Sequence, residues 1–280
     1  MRIKFWGVRG STPTPQAENL RYGGNTSCVE VRLGDQIYIF DCGTGFRVLG
    51  HELLREFGDR PFAAHVFVSH FHWDHIQGMP FFRPLYDNPK SQFHFHASSR
   101  TRGLQQVMAE QMAAPYFPVN LAQMRAQLGF YNIENGCLPM GDGIHIKTAW
   151  LNHPQGCMGF RLETKEGVLV YATDNEPGDP NFDKAVRKLA EGADILIYDA
   201  QYLPEEYEAR RRGWGHSQKS QNLPHHAVCL ISLKEKLSVG RAVEYDQLFG
   251  LGSFLVLLAN PRKAWSIAAG IVARHNEQRG

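Results

Sequence analysis

No apolar run in this chain is long enough to cross a bilayer: the longest, Phe249–Ala259, has about half of the ~20 residues that a membrane helix needs. Paired cysteines are missing too. Cys28, Cys42, Cys137, Cys157 and Cys229 are scattered without a CxxC spacing, and an odd set of this kind excludes a disulfide framework and points to a reducing compartment. The N-terminus has no apolar signal core; MRIKFWGV alternates like a strand and runs into a Gly-rich turn. Charge of one sign is scarce, since the formal net charge is only +2. That is too little to draw a polyanion by bulk electrostatics, so a nucleic-acid partner is left open but is not indicated by charge. The one basic run, Arg210, Arg211 and Arg212, reads as a solvated helix face. These absences give a soluble, cytoplasmic expectation with no membrane partner, and leave a homodimer open.

At 280 residues the chain can bury about three quarters of its unfolded surface, so it needs no staples to hold a core. Short stretches rich in β-branched and aromatic residues, each bounded by Gly, Pro, Asp or Asn, predict strands at Ile3–Val8, Cys28–Leu33, Ile37–Asp41, His65–Ser69 and Gln92–Ala97. The signals resume at Ile144–Leu151, Met158–Glu163, Val168–Ala172 and Ile195–Asp199. Helical spacing predicts helices at Phe46–Phe57, stopped by Gly58, then at Thr101–Ala113, Phe182–Ala193 and Pro204–Arg212. Between Ala114 and Gly143 periodicity is weak and Pro115, Pro118 and Pro139 interrupt it, so an irregular flap with one short helix near Leu121–Leu128 is expected there. Two half-sets of strands with helices, and no linker or repeat, suggest one α+β domain of two packed sheets flanked by helices.

Residues 69–75 read Ser-His-Phe-His-Trp-Asp-His. Three imidazoles and a carboxylate follow an apolar strand directly, at the kind of strand end where sites are built. In extended chain His70 and His72 point the same way and can grip one ion, while Asp74 and His75, past a turn, suit a second. Imidazole nitrogens and carboxylate oxygens are the donor set of zinc and similar divalent metals.

The pattern His70-x-His72-x-Asp74-His75 resembles the signature of the metallo-β-lactamase superfamily. Other pieces follow in the same order: Asn152-His153-Pro154, Ala172-Thr173-Asp174 and Gly215-His216-Ser217. Gly7-Val8-Arg9-Gly10-Ser11, Tyr22-Gly23-Gly24-Asn25-Thr26-Ser27 and Asp41-Cys42-Gly43-Thr44-Gly45 are similar to the phosphodiesterase branch, which includes RNase Z endonucleases and cyclic-phosphate phosphodiesterases. The resemblance implies a four-layer αββα sandwich over residues 1–217. It also implies two divalent ions, zinc foremost with manganese or iron as alternatives, that activate a water. His70, His72 and His153 would hold the first ion, Asp74 and His75 the second, and Asp174 would bridge both. By the same resemblance Asp74 accepts a proton, His216 protonates the leaving oxygen or holds the phosphate, and Asp41 orients a ligand histidine. The substrate implied is a small-molecule or nucleotide phosphodiester. Hydrolysis of a lactone, thioester or amide on the same scaffold is the alternative, as is a metal-binding module that has lost catalysis.

Past Ser217 the resemblance ends. The family calls for one more histidine, and His225, His226 and His275 are the candidates, although only a short interval separates His216 from His225. Residues 218–280 read either as a divergent C-terminal segment or as the product of a reading-frame shift near residue 217.

Overall fold

The structure, a computed structural model, describes residues 1–16, 23–98, 102–202, 207–217 and 254–258. The chain divides into two compact units, Met1–Ile133 and Glu134–Gly280.

The first unit is a six-stranded sheet in the order β1 (Arg2–Gly7), β2 (Cys28–Leu33), β3 (Gln36–Phe40), β4 (Ala63–Val68), β5 (Gln92–Ala97) and β6 (Gln127–Asn132). The first three strands pair antiparallel, with β2 and β3 joined through a tight turn in which Gly34 takes φ 57°. From β3 to β6 the pairing is parallel, so each connection must cross over the sheet. Helix α1 (Thr44–Phe57) makes the first crossover and buries Phe46, Leu49 and Leu53. Gly58, at φ 56°, stops it by returning its N–H to the Leu54 carbonyl. The short helices α2 (Trp73–Ile76) and α3 (Pro84–Asp87) make the second crossover, and α4 (Leu104–Glu110) begins the third. Ile39, Val66, Val68, Phe93 and Phe95 meet α1 on one face of the sheet, and Phe46 stacks on Phe82 with centroids 3.8 Å apart. Each such side chain contributes about 1.5–3 kcal/mol by burial.

The other face of the sheet carries aromatic rows. Phe40, Phe67, His96 and Tyr131 lie opposite one another across β3–β6, and Tyr38, His65 and His94 form the next row. Their rings stack, and His65 Nδ1 lies 3.1 Å from His96 Nε2. Burial, helped by the neighbouring histidines, pushes His65 down to about 4 and His96 to about 3. Both are therefore neutral when folded and take up protons on unfolding once the pH drops below the ordinary histidine value. Their contribution is complete above about pH 6.5 and is lost as the pH falls toward those lowered values. Melting temperature is thus expected to fall from pH 7.5 to pH 5, and to fall less in His96→Phe. Calorimetry of the two proteins across that range checks this, and parallel curves would refute it.

The second unit is a sheet in the order β12 (Phe254–Leu258), β11 (Ile195–Asp199), β10 (Gly167–Ala172), β9 (Cys157–Thr164), β8 (Ile144–Leu151) and β7 (Gly136–Gly141). All pairs are antiparallel except β10 with β11, which α5 (Pro180–Ala190) connects. Asp179 caps α5 by accepting the Asn181 and Phe182 N–H groups, and Pro180 opens its first turn. Leu189 and Ala190 of α5 pack with Leu151, Cys157, Val170 and Leu196.

The expected flap is a different structure. Within 114–143 only a 3-10 turn, Leu121–Gln123, is helical, and β6 and β7 occupy much of the rest. Gly129, Gly136 and Pro139 dilute the strand signal there, and Pro139 is tolerated because β7 is the last strand of its sheet. Of the helix expected at Pro204–Arg212, residues 204–206 lie outside the described residues, and Tyr207–Arg211 form a π turn. The apolar run near the C-terminus contributes β12, while His225, His226 and His275 lie outside the described residues. Among the described residues no helix is long and apolar enough to cross a membrane.

Candidate metal centre

In the first unit the site begins where β3 and β4 end side by side. Asp41 follows β3 with φ 63°, a left-handed conformation that Asp tolerates better than most residues, and it is fully buried. Its Oδ1 accepts the Ser69 N–H at 2.7 Å, and its Oδ2 accepts the Ser69 hydroxyl at 2.9 Å and His75 Nδ1–H at 2.7 Å. Because the Ser69 proton is committed to Asp41, Ser69 Oγ acts as acceptor toward His70 Nδ1, 3.1 Å away. Both imidazoles are therefore protonated at Nδ1 and carry their lone pair on Nε2, the form a metal ligand needs.

His70 and His72 lie just past the end of β4, as expected of a cluster that follows the strand directly, and His72 is extended at φ −64° and ψ 149°. Extended backbone preserves the expected spacing: a nitrogen of His72 and one of His75 each approach a nitrogen of His70 within 4.8 Å. Asp74 and His75 are on α2, with Asp74 Oδ2 3.4 Å from His75 Nε2. Asp74 Oδ2 also accepts the Ser11 N–H at 2.7 Å, so the Gly7–Ser11 motif reaches the carboxylate directly.

The other Gly-rich motifs are braces. Of the Tyr22–Ser27 motif, Tyr22 lies outside the described residues. Gly43 N–H donates to Ser27 O at 2.8 Å, and Thr26 and Thr44 exchange reciprocal bonds of 2.8 Å between backbone N–H and side-chain hydroxyl. A side chain at Gly43 would put its Cβ 2.2 Å from the Asp74 carbonyl oxygen, so glycine is what lets these strands of backbone meet. Burial, with Asp41 beside it, pushes the Cys42 thiol well up, and it stays a protonated packing group.

In the second unit the same device recurs. His153, just past β8, directs Nδ1–H to the Gly215 carbonyl at 2.8 Å. Asp174, past β10, has φ 57°. His216 lies 2.8 Å from Asp199 Oδ2 and 3.5 Å from Asp174 Oδ1 through Nδ1. One ligand atom each from His153, Asp174 and His216 falls within 4.8 Å of the others. Burial raises the Asp199 carboxyl, and its hydrogen bond from His216 works against that rise.

Two carboxylates here escaped the sequence reading. Asp199 ends β11 as Asp41 and Asp174 follow β3 and β10, and an aspartate closing an apolar strand was the signal available. Glu176 accepts the Tyr207 hydroxyl at 2.9 Å and the Gly213 and Gly215 N–H groups at 2.5 and 2.8 Å. Burial alone would raise its carboxyl; these donors, with His216 nearby, outweigh burial and hold it below the ordinary value. Gly215, at φ 83°, comes so near His153 that a Cβ would lie 2.4 Å from Nδ1.

Residues 37–231 match the family model described as the β-lactamase superfamily domain. The chain belongs to that family. Among similar members, the ribonuclease Z of Haloarcula marismortui is 31% identical over 129 residues, covering 45% of this chain and 38% of that one. The ribonuclease Z of Natronomonas pharaonis is 29% identical over 261 residues, 76% of this chain and 78% of that one. This β-lactamase superfamily chain therefore spans under two thirds of the first of these relatives. The crystal structure of the short form of human tRNase Z is similar in fold, with a TM-score of 0.54 at 21% identity over 78% of this chain and 85% of that one.

Proposed function

We propose that this chain is a metal-dependent phosphodiesterase acting on a small-molecule or nucleotide phosphodiester. The observation that carries the reading is the placement of imidazole protons. His70, His75 and His153 each face an oxygen through Nδ1, which leaves three Nε2 lone pairs for a metal, while His216 directs Nδ1–H to Asp199 and can carry a proton on Nε2. That donor set fits divalent metal, with zinc the first choice and manganese or iron also suited to it.

In this reading His70, His72 and His153 would hold one ion and Asp74 and His75 a second, with Asp174 available to both. Such ions lower the pKa of a bound water toward neutrality and offset charge developing on phosphoryl oxygens. Asp74, fixed by the Ser11 N–H, accepts the proton that the nucleophile gives up. His216, held by Asp199, keeps a proton for the leaving oxygen or grips the phosphate. The catalytic domain is assigned to residues 1–217; 218–280, a divergent or frame-shifted segment and no separate domain, adds β12 to the sheet beside β11.

Elemental mass spectrometry of the purified full chain, paired with a phosphodiester assay, tests this. Two ions per chain are expected, with turnover lost on chelation and restored by zinc or manganese. Metal without diester turnover would overturn the reading, and turnover of a thioester or lactone instead would replace it. His216→Ala separates its two roles: retained metal with lost turnover fits the proton donor, whereas lost metal makes His216 a ligand.

A further inference from the structure

Arg211 is not the solvated cation that the basic run suggested. Arg210 and Arg212 are exposed, but Arg211 is half-buried, with its guanidinium carbon 4.3 Å from the Trp214 ring centroid and 5.6 Å from that of Tyr202. Among the described residues no carboxylate pairs with it; its partners are the two rings. A guanidinium stacked this way is held by its faces and keeps its N–H edges for a planar, two-point grip on an oxyanion.

Its position is fixed by the same loop that fixes His216. Glu176 ties down Tyr207, Gly213 and Gly215, on either side of Arg211, and the Gly215 carbonyl receives His153. Tyr202, which faces Arg211 on one side, meets His216 edge to face at 5.8 Å, and its N–H donates to the Ser217 carbonyl at 3.2 Å. One aromatic ring therefore separates the guanidinium from the imidazole assigned to the scissile phosphate.

We propose that Arg211 is a specificity residue that receives a second phosphate of the substrate, beside the diester that is cleaved. This rests on the phosphodiesterase reading above and narrows it to diesters bearing a neighbouring phosphate, whether a terminal monoester or the next link of a polynucleotide. Trp214, 54% exposed, forms the outer wall of the grip and Tyr202 the inner one.

The test uses the metal-loaded full chain and a matched set of substrates: a dinucleotide without terminal phosphate, the same dinucleotide phosphorylated at its 5′ or 3′ end, and the trinucleotide. The wild type is expected to prefer one phosphorylated dinucleotide, or the trinucleotide if the second anion is a diester. Arg211→Gln should lower kcat/KM on the preferred substrate by about 10- to 100-fold, as expected for a lost bond to a charged group, while the bare dinucleotide stays within about twofold. Arg211→Lys, which keeps charge without the fork, should recover part of the preference. Equal losses on every substrate would make Arg211 a brace of the loop and overturn the inference, as would a wild type without preference. If no substrate in the set is cleaved, the phosphodiesterase reading itself fails and this inference falls with it.

Discussion

Asp74→Ala is expected to lower kcat/KM for phosphodiester hydrolysis by about 1,000-fold or more, and to cost the protein part of its metal. A group that both ligates a catalytic ion and accepts a proton is worth several kcal/mol in the transition state, and about 4 kcal/mol corresponds to that factor. Asp74 is only 7% exposed and its carboxylate is aimed by the Ser11 N–H at 2.7 Å, so bulk water is a poor substitute for it. Asp74→Asn keeps the size and one oxygen for Ser11 but removes the charge, and should lose nearly as much while melting within a few degrees of wild type. Retention of more than a tenth of the activity in Asp74→Ala would dismiss the two-metal scheme. Steady-state kinetics on metal-replete protein, with metal content measured on the same sample, decides it.

The second large effect is expected at a residue that does not touch substrate. Asp41 collects three donors with two oxygens: the Ser69 N–H, the Ser69 hydroxyl and His75 Nδ1–H. Asp41→Asn tolerates the same left-handed backbone, so the comparison isolates the charge. The new amide NH2 would face donors where an oxygen stood. His75 would then have to move its proton to Nε2, blocking the nitrogen proposed as the metal ligand, or leave a buried donor unpaired. Metal affinity should fall about 10- to 100-fold and stability by about 3 kcal/mol. Because Asp41 positions rather than reacts, kcat should largely recover at saturating metal, a readout that a catalytic role would not allow. A competition titration against a chelator, alongside a melting curve, checks both. Wild-type affinity in Asp41→Asn would remove Asp41 from the ligand-orienting role.

Much of the scaffold was legible because β-branched and aromatic clusters mark buried strands plainly. Cys28–Leu33, Gln92–Ala97, Ile144–Leu151 and Ile195–Asp199 have the bounds their sequences suggest. The clustering of His70, His72 and His75 was legible for a different reason: these residues are near neighbours in sequence, so local spacing alone brings them together. What failed was non-local. β6 and β7 hold glycine and proline and owe their strand geometry to pairing partners, which no local window records. Glu176 carries no local signal because it receives three donors that lie 31 to 39 positions away. Arg211 looked like a solvated cation because stacking on Trp214 and Tyr202 depends on a π turn, which has no periodic signature. The terminal histidines His225, His226 and His275 lie outside the described residues, so the last candidate ligand rests on the sequence alone.

The anchoring of residues 207–215 by Glu176 bears on how this protein can change over generations. Its three grips fall on the Tyr207 hydroxyl and on the backbone of two glycines, whereas the positions between them, Arg210, Arg212 and Trp214, are exposed. Arg212 lies over the Tyr207 ring, whereas the side chains of Arg210 and Trp214 can be exchanged without touching the three bonds that Glu176 makes. Selection can therefore explore new substrates on one short segment while the carboxylates and imidazoles proposed to hold metal stay untouched, and a mutant library confined to positions 210 and 214 would sample specificity with little loss of folded protein.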